Sequence, residues 1–295
     1  MNKFKSLLLL VFTFSLFSNI NANEKTVLEL GKPALSVAYS PDGKYVATGS
    51  KTKTRIWSSD TGTLVLELGK PALSLAYSPD GKYVATCSEA NTRIWSSDSG
   101  TLVLELGKPA LSLAYSPDGK YVATGSKTKT RIWSSDSGTL VLELGKPALS
   151  LAYSPDGKYV ATGSKTKTRI WSSDTGTLVL ELGKPALSLA YSPDGKYVAT
   201  GSEANTRIWS SDSGTLVLEL GKPALSLAYS PDGKYLATGS ETKTRVWNVA
   251  NGKLVLELGK PALSVTYSPD GKYLVTGSEA NTRIWNLNIG DLILE

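Results

Sequence analysis

From residue 31 onward, short apolar runs alternate with clusters of turn-forming residues. The run 35–39 places Leu35, Val37 and Tyr39 on one side of a strand, because side chains in a strand alternate with a period of two. The tetrapeptide Ser-Pro-Asp-Gly that follows (40–43) combines residues that favour a tight turn. No window has a helical period. Within the first unit, the pattern predicts strands over about 35–39, 44–49, 54–57 and 64–68.

This unit is one copy of a repeat. The hexapeptide Gly-Lys-Pro-Ala-Leu-Ser begins at positions that are 38 residues apart, namely 31, 69, 107, 145, 183, 221 and 259. A sheet of four short strands cannot bury both faces alone, but radially stacked copies cover one another. The sequence therefore predicts an all-β, seven-bladed β-propeller of four-stranded antiparallel blades. The near-identity of the copies indicates recent amplification.

Two segments of the unit resemble a WD-repeat blade. They are Tyr-Ser-Pro-Asp-Gly-Lys-Tyr-Val-Ala-Thr-Gly-Ser (39–50) and Arg-Ile-Trp (55–57), and the resemblance extends over residues 31–295. The family usually has Gly-His and Trp-Asp where this chain has Gly31-Lys32 and Trp57-Ser58. The family's His–Asp–Ser–Trp network is therefore expected to be absent, which leaves Ser50 and Trp57 without two partners. The indole N–H of Trp57 then needs another acceptor.

The ends of the chain offer one strand too many. Residues 26–30 and 291–295 both match the fourth strand of the unit, so eight copies compete for seven places. We expect the N-terminal copy to complete the blade that begins at Gly259, as the resemblance implies. The alternative is a local hairpin with the C-terminal copy, whose loop is shorter. We expect a monomer, in which a spare strand at 24–30 or 291–295 could pair with another molecule.

The first 22 residues do not belong to the repeat. Lys3 and Lys5 precede the apolar run 7–17, and a short polar stretch ends in Ala22. This layout predicts a cleavable signal peptide over 1–22, followed by the propeller over 23–295, in a secreted or periplasmic protein. An uncleaved anchor is the alternative reading. The run is too short to span a bilayer, and no later segment is apolar enough to form a membrane span.

Composition excludes several chemistries. The chain has no His and a single Cys, Cys87, so imidazole catalysis, His-ligated metal sites, intramolecular disulfides and cysteine-built zinc sites are excluded. We expect no metal, no cofactor and no enzymatic activity. The formal net charge is +6. Loss of Lys3 and Lys5 with the leader would lower it by two, which is too weak a charge to predict a nucleic-acid partner.

The resemblance implies that the loops before the first strand and between the second and third strands share one face around a central channel. These loops hold the candidate binding residues. One lysine precedes each first strand: Lys32, Lys70, Lys108, Lys146, Lys184, Lys222 and Lys260. The other loops carry Lys51, Lys53, Glu89, Asn91, Lys127, Lys129, Lys165, Lys167, Glu203, Asn205, Glu241, Lys243, Glu279 and Asn281. The alternative is that these residues form a solvated surface whose charge keeps the protein soluble.

These residues predict an exported, non-enzymatic interaction scaffold that binds an unidentified protein or peptide, possibly acidic, through this face. The alternative is a multivalent carbohydrate-binding, lectin-like propeller. Trp57, Tyr39 and Tyr45 could form stacking platforms for sugars, although their positions within strands favour packing. A propeller enzyme would need converging carboxylates, whereas Asp42 and its equivalents are explained by their turns.

Overall fold

The computed structural model describes residues 26–287, which form seven four-stranded antiparallel sheets. We number the blades from 1 to 7 in the order of the repeats. The N-terminal strand is Thr26–Glu29 (β1), and the first strands of the blades are Ser36–Tyr39 (β2), Ser74–Tyr77 (β6), Ser112–Tyr115 (β10), Ser150–Tyr153 (β14), Ser188–Tyr191 (β18), Ser226–Tyr229 (β22) and Ser264–Tyr267 (β26). The second strands are Tyr45–Gly49 (β3), Tyr83–Cys87 (β7), Tyr121–Gly125 (β11), Tyr159–Gly163 (β15), Tyr197–Gly201 (β19), Tyr235–Gly239 (β23) and Tyr273–Gly277 (β27).

The remaining strands complete each sheet. The third strands are Thr54–Ser58 (β4), Thr92–Ser96 (β8), Thr130–Ser134 (β12), Thr168–Ser172 (β16), Thr206–Ser210 (β20), Thr244–Asn248 (β24) and Thr282–Asn286 (β28). The fourth strands of blades 1 to 6 are Leu64–Glu67 (β5), Leu102–Glu105 (β9), Leu140–Glu143 (β13), Leu178–Glu181 (β17), Leu216–Glu219 (β21) and Leu254–Leu258 (β25). The predicted all-β, seven-bladed fold with four-stranded blades is confirmed.

The first strands form the innermost ring. Each contacts the first strand of the next blade, and β26 contacts β2, so the ring is closed. Serine hydroxyls reach between blades in this ring. Ser36 Oγ accepts a hydrogen bond from the backbone N–H of Leu75 at 3.1 Å, and Ser264 Oγ accepts one from Val37 at 3.1 Å. The first strands therefore surround the central channel.

The core lies between neighbouring blades. Ala47 and Ile56 of blade 1 pack against Leu75 and Val84 of blade 2, and all four side chains are buried. Where the third strand of blade 1 pairs with the fourth, the register shifts between Ile56 and Trp57, and Leu64 of the fourth strand remains 49% exposed. Burial along residues 64–68 therefore increases towards the end of this segment, where Leu68 is buried. Burial of the small and branched residues between blades stabilises the ring.

The N-terminal strand closes the ring. β1 pairs with β28 in antiparallel orientation and forms the outer strand of blade 7. Glu29 accepts a hydrogen bond from Arg283 Nε at 2.6 Å, and the backbone N–H of Leu30 donates to the Thr282 carbonyl at 3.0 Å. The expectation that the N-terminal copy completes this blade is confirmed. The C-terminal copy 291–295, residues 24–25 and the predicted signal peptide over 1–22 lie outside the described residues.

The indole N–H of each tryptophan has a hydrogen-bond acceptor, which the sequence showed to be necessary. Trp57 Nε1 donates to Thr48 Oγ1 at 2.8 Å, and the equivalent bond is present in all seven blades. Ser50, which the resemblance suggested as a network member, donates instead to the Lys53 carbonyl at 2.9 Å. Tryptophan is thus held by the neighbouring strand of its own blade, while this serine organises a loop.

Candidate functional site

The antiparallel order of the strands divides the loops between two faces. The loops before each first strand and between the second and third strands emerge at one face, which we call the lysine face. The turns that join the first strand to the second and the third to the fourth emerge at the other, which we call the turn face. Hydrogen bonds join neighbouring loops of the lysine face. The backbone N–H of Ala72 donates to the Ser50 carbonyl of the preceding blade at 3.0 Å.

One exposed lysine per blade projects from the lysine face. These residues, the lysine ring, are Lys32, Lys70, Lys108, Lys146, Lys184, Lys222 and Lys260. Their backbone is fixed by the preceding blade: buried Thr54 donates from Oγ1 to the Lys70 carbonyl at 2.9 Å. Within residues 26–287, no lysine-ring ammonium group forms an ion pair or a hydrogen bond. The lysine ring therefore presents seven uncompensated positive charges beside the channel.

The third residue of each loop between the second and third strands binds a glutamate on the outer strand of its own blade. Lys53 Nζ and Arg55 Nε both bind the Glu67 carboxylate, the latter at 3.0 Å. The hydrogen bond from Lys53, followed by that from Arg55, lowers the pKa of Glu67 below its ordinary value. The same grouping recurs with Lys129, Lys167 and Lys243, and Asn91, Asn205 and Asn281 replace the lysine in the other blades. These glutamates are therefore engaged within their own blades and do not offset the lysine ring.

The first residue of the same loops is only partly compensated. Lys51 pairs with Glu279 at 3.0 Å and Lys127 with Glu89 at 2.9 Å, in each case across a blade boundary. Such exposed pairs contribute about 0–1 kcal/mol each. Lys165, Glu203 and Glu241 form no ion pair within the described chain. The uncompensated charge in these loops is therefore positive in blade 4, at Lys165, and negative in blades 5 and 6, at Glu203 and Glu241.

The described part of the chain gives no indication of metal chemistry or of a membrane-spanning helix. Between residues 26 and 287, no three Asp, Glu or Cys side chains are grouped so that they could hold a metal ion. The same range contains no helix that could cross a membrane. Cys87 is buried, and burial raises the pKa of its thiol to about 12, so it is not activated as a nucleophile.

Comparison with known families agrees with this geometry. The family model "WD domain, G-beta repeat" matches seven segments, which are residues 25–58, 62–96, 100–134, 138–172, 176–210, 214–248 and 252–286. The chain belongs to the WD40 family. A search of the curated proteins gave no match to it. WD40 propellers are generally non-enzymatic scaffolds that bind protein partners.

Within this WD40 propeller, sequence reasoning missed a set of residues on the turn face. Tyr45 was expected to pack, yet it is 38% exposed and lines a space between blades 1 and 2 together with Asp98. Trp57, assigned the same packing role, is only 6% exposed, in agreement with the prediction. The position of Tyr45 in the sequence, at the start of its strand and directly after the turn, could have indicated this difference.

Proposed function

We propose that this chain is an exported interaction scaffold and that its lysine face binds an acidic segment of a protein partner. The observation that carries the proposal is the uncompensated lysine ring. In blade 1, the other lysines of this face, Lys51 and Lys53, are engaged with carboxylates. Fixed positive charges around a channel mouth attract an acidic ligand over distances of about 8–10 Å at physiological salt. Rigid loops also reduce the entropy lost on binding.

Export is part of the proposal. The leader over 1–22 directs the chain out of the cytoplasm, and the mature protein begins near residue 23. N-terminal sequencing of the protein from the extracellular or periplasmic fraction tests this directly. A protein that retains its first 22 residues in the membrane fraction would support the uncleaved anchor instead.

The binding face is tested by charge reversal. The test variant changes the lysine ring to glutamate, and the matched control reverses seven lysines of the turn face: Lys44, Lys82, Lys120, Lys158, Lys196, Lys234 and Lys272. Both variants carry the same change in net charge. We expect partners captured from the exported fraction to be lost with the test variant alone. We also expect capture to weaken as salt rises. A partner that binds both variants equally well does not use the lysine face.

A further inference from the structure

The turn face contains clefts between neighbouring blades. The cleft between blades 1 and 2 has a volume of about 560 Å³, and its equivalents between blades 2 and 3 and between blades 4 and 5 measure about 540 and 600 Å³. Their lining residues are the same positions of the repeat. These volumes lie in the range of small-molecule binding sites.

Two different walls enclose the cleft between blades 1 and 2. Blade 1 contributes an apolar wall of Tyr45, Ile56 and Val65, of which Val65 is 47% exposed. Blade 2 contributes a polar wall that includes Lys82 and Asp98. An aromatic and aliphatic surface facing a few polar groups is the usual composition of a site for a small organic ligand.

A buried tyrosine, Tyr77, is also one of the residues that line this cleft. Tyr77 is only 9% exposed, and its hydroxyl oxygen has no hydrogen-bond partner within the described chain. Burial, and secondarily the charge of Asp42, raises the pKa of Tyr77, so the hydroxyl remains protonated and can both donate and accept. Five further blades repeat this arrangement, with Tyr115, Tyr153, Tyr191, Tyr229 and Tyr267. A buried hydroxyl without a partner is costly unless something bonds to it.

The polar groups divide into those used by the fold and those that are available. Asp80 Oδ1 accepts hydrogen bonds from Ser78 Oγ at 2.6 Å and from the backbone N–H of Lys82 at 3.1 Å. Ser97 donates to the Gly81 carbonyl at 2.7 Å. In contrast, the Asp98 carboxylate forms no hydrogen bond or ion pair within the described residues. The exposed Lys82 ammonium lies 3.7 Å from Asp80 and remains accessible.

We infer that these clefts bind neutral sugar residues of a glycan. The apolar face of a pyranose ring would lie against Tyr45 and Val65, and its hydroxyls would bond to Asp98 and the Tyr77 hydroxyl. A cationic ligand would be opposed by Lys82 and would leave the lysine's donors unused. An anionic ligand would face the aspartates. A neutral polyhydroxylated ligand uses the donors and the acceptors together.

Repetition would make weak sites effective. The equivalent clefts lie on one rigid face, so a branched or repeating glycan could occupy several of them and gain avidity. This inference is independent of the proposed protein-binding role, because the two sets of residues lie on opposite faces.

The drifted last repeats supply an internal comparison. Blade 6 has Val249-Ala250 in place of Ser97-Asp98, so the available carboxylate is missing there. In the cleft between blades 6 and 7, Leu287 takes the place of the polar wall residue, and the volume is about 310 Å³. We expect the clefts between blades 5 and 6 and between blades 6 and 7 not to bind sugar.

The test uses the full mature protein on an array of neutral, sialylated and uronic-acid-containing glycans. Two variants probe the clefts. One changes the available aspartates to asparagine (D60N, D98N, D136N, D174N and D212N), and the other changes the buried tyrosines to phenylalanine (Y77F, Y115F, Y153F, Y191F, Y229F and Y267F). The matched control, on the lysine face, is E89Q/E203Q/E241Q/E279Q.

We expect the wild type to bind neutral glycans, with at least a tenfold loss of apparent affinity in each cleft variant and no loss in the control. The melting temperature should not fall in either cleft variant, because the altered groups have no protein partners. Absence of glycan binding by the wild type would overturn the inference, as would unchanged binding by both cleft variants. The inference would also be overturned if the same aspartates bound a Lys- and Arg-rich peptide in preference to glycans. Binding of acidic glycans alone, abolished by reversal of the lysine ring, would assign the activity to the other face.

Discussion

Trp57 donates its indole N–H to the hydroxyl of Thr48, at 2.8 Å, across the second and third strands of blade 1. Both side chains are buried, and the bond recurs in every blade. The chain thus satisfies its seven tryptophans with one short contact per blade. It does so without the histidine and aspartate that the resemblance to WD repeats would have supplied.

The first prediction concerns this contact. Thr162→Val in blade 4 keeps the shape of the side chain but leaves the Trp171 N–H buried without an acceptor. We expect the free energy of unfolding to fall by about 1–3 kcal/mol, measured by chemical denaturation. The control is Thr166→Val in an exposed loop. If T162V loses no more stability than T166V, the contact contributes nothing to stability.

The second prediction concerns the turn carboxylates at low pH. Ser154 Oγ donates to Asp156 Oδ1 at 2.6 Å, and this hydrogen bond lowers the pKa of Asp156 below its ordinary value. Because the unfolded chain then binds protons at higher pH than the folded one, stability is present above about pH 4 and is lost as pH falls below it. All seven blades contain this pair, so the melting temperature should drop clearly between pH 5 and pH 3.

Ser154→Ala isolates the effect. At pH 7 it should cost about 1–2 kcal/mol, because it removes the bond to the ionised carboxylate and the acceptor of the Tyr159 N–H. At pH 3 the cost should be smaller, because protonation of Asp156, first in the unfolded chain and then in the folded one, removes part of the stabilisation that the ionised carboxylate draws from Ser154. An equal cost at both values would show that the ionised carboxylate does not draw its stabilisation from this serine.

The third prediction uses the single cysteine as a comparison. A Cβ at Gly163 would lie 2.5 Å from the Ala186 carbonyl oxygen of the next blade, so the blades would have to separate. Gly163→Ala should therefore destabilise the protein by about 1–3 kcal/mol. Cys87 occupies the same position in blade 2, where the neighbours already accommodate a side chain. Cys87→Ala should cost less, and a larger cost for C87A than for G163A would contradict this account.

The fourth prediction concerns ring closure. Deletion of residues 24–30 removes β1, which contains the Glu29 partner of Arg283, and also removes buried Leu30. We expect the free energy of unfolding to fall by roughly 3–5 kcal/mol, since truncation of a single buried leucine costs about 2–5 kcal/mol. Deletion of 290–295 should lower the melting temperature much less. If only the C-terminal deletion lowers it, the C-terminal copy closes the ring in solution.

Much of the architecture followed from local patterns in the sequence. The 38-residue period, the alternation in 35–39 and the turn at 40–43 specified four strands per unit. Each observed strand of blade 1 differs from the predicted one by a single residue, at one end only. Strand direction and turn position depend on residues close together in the chain, which is why one unit sufficed. The position of each lysine-ring residue, directly before a first strand, was determined in the same way.

The tertiary structure decided what depends on contacts between strands and between units. It selects the pairing of β1 with β28 over the local hairpin. It also shows that Thr48 accepts the Trp57 N–H, and that Glu67 binds Lys53 and Arg55 while the lysine ring remains uncompensated. It also separates Tyr45 from Trp57, which share the same strand pattern in the sequence. A period of two fixes the side of the sheet to which a residue points, but the neighbouring blade decides whether that side is covered or opens into a cleft.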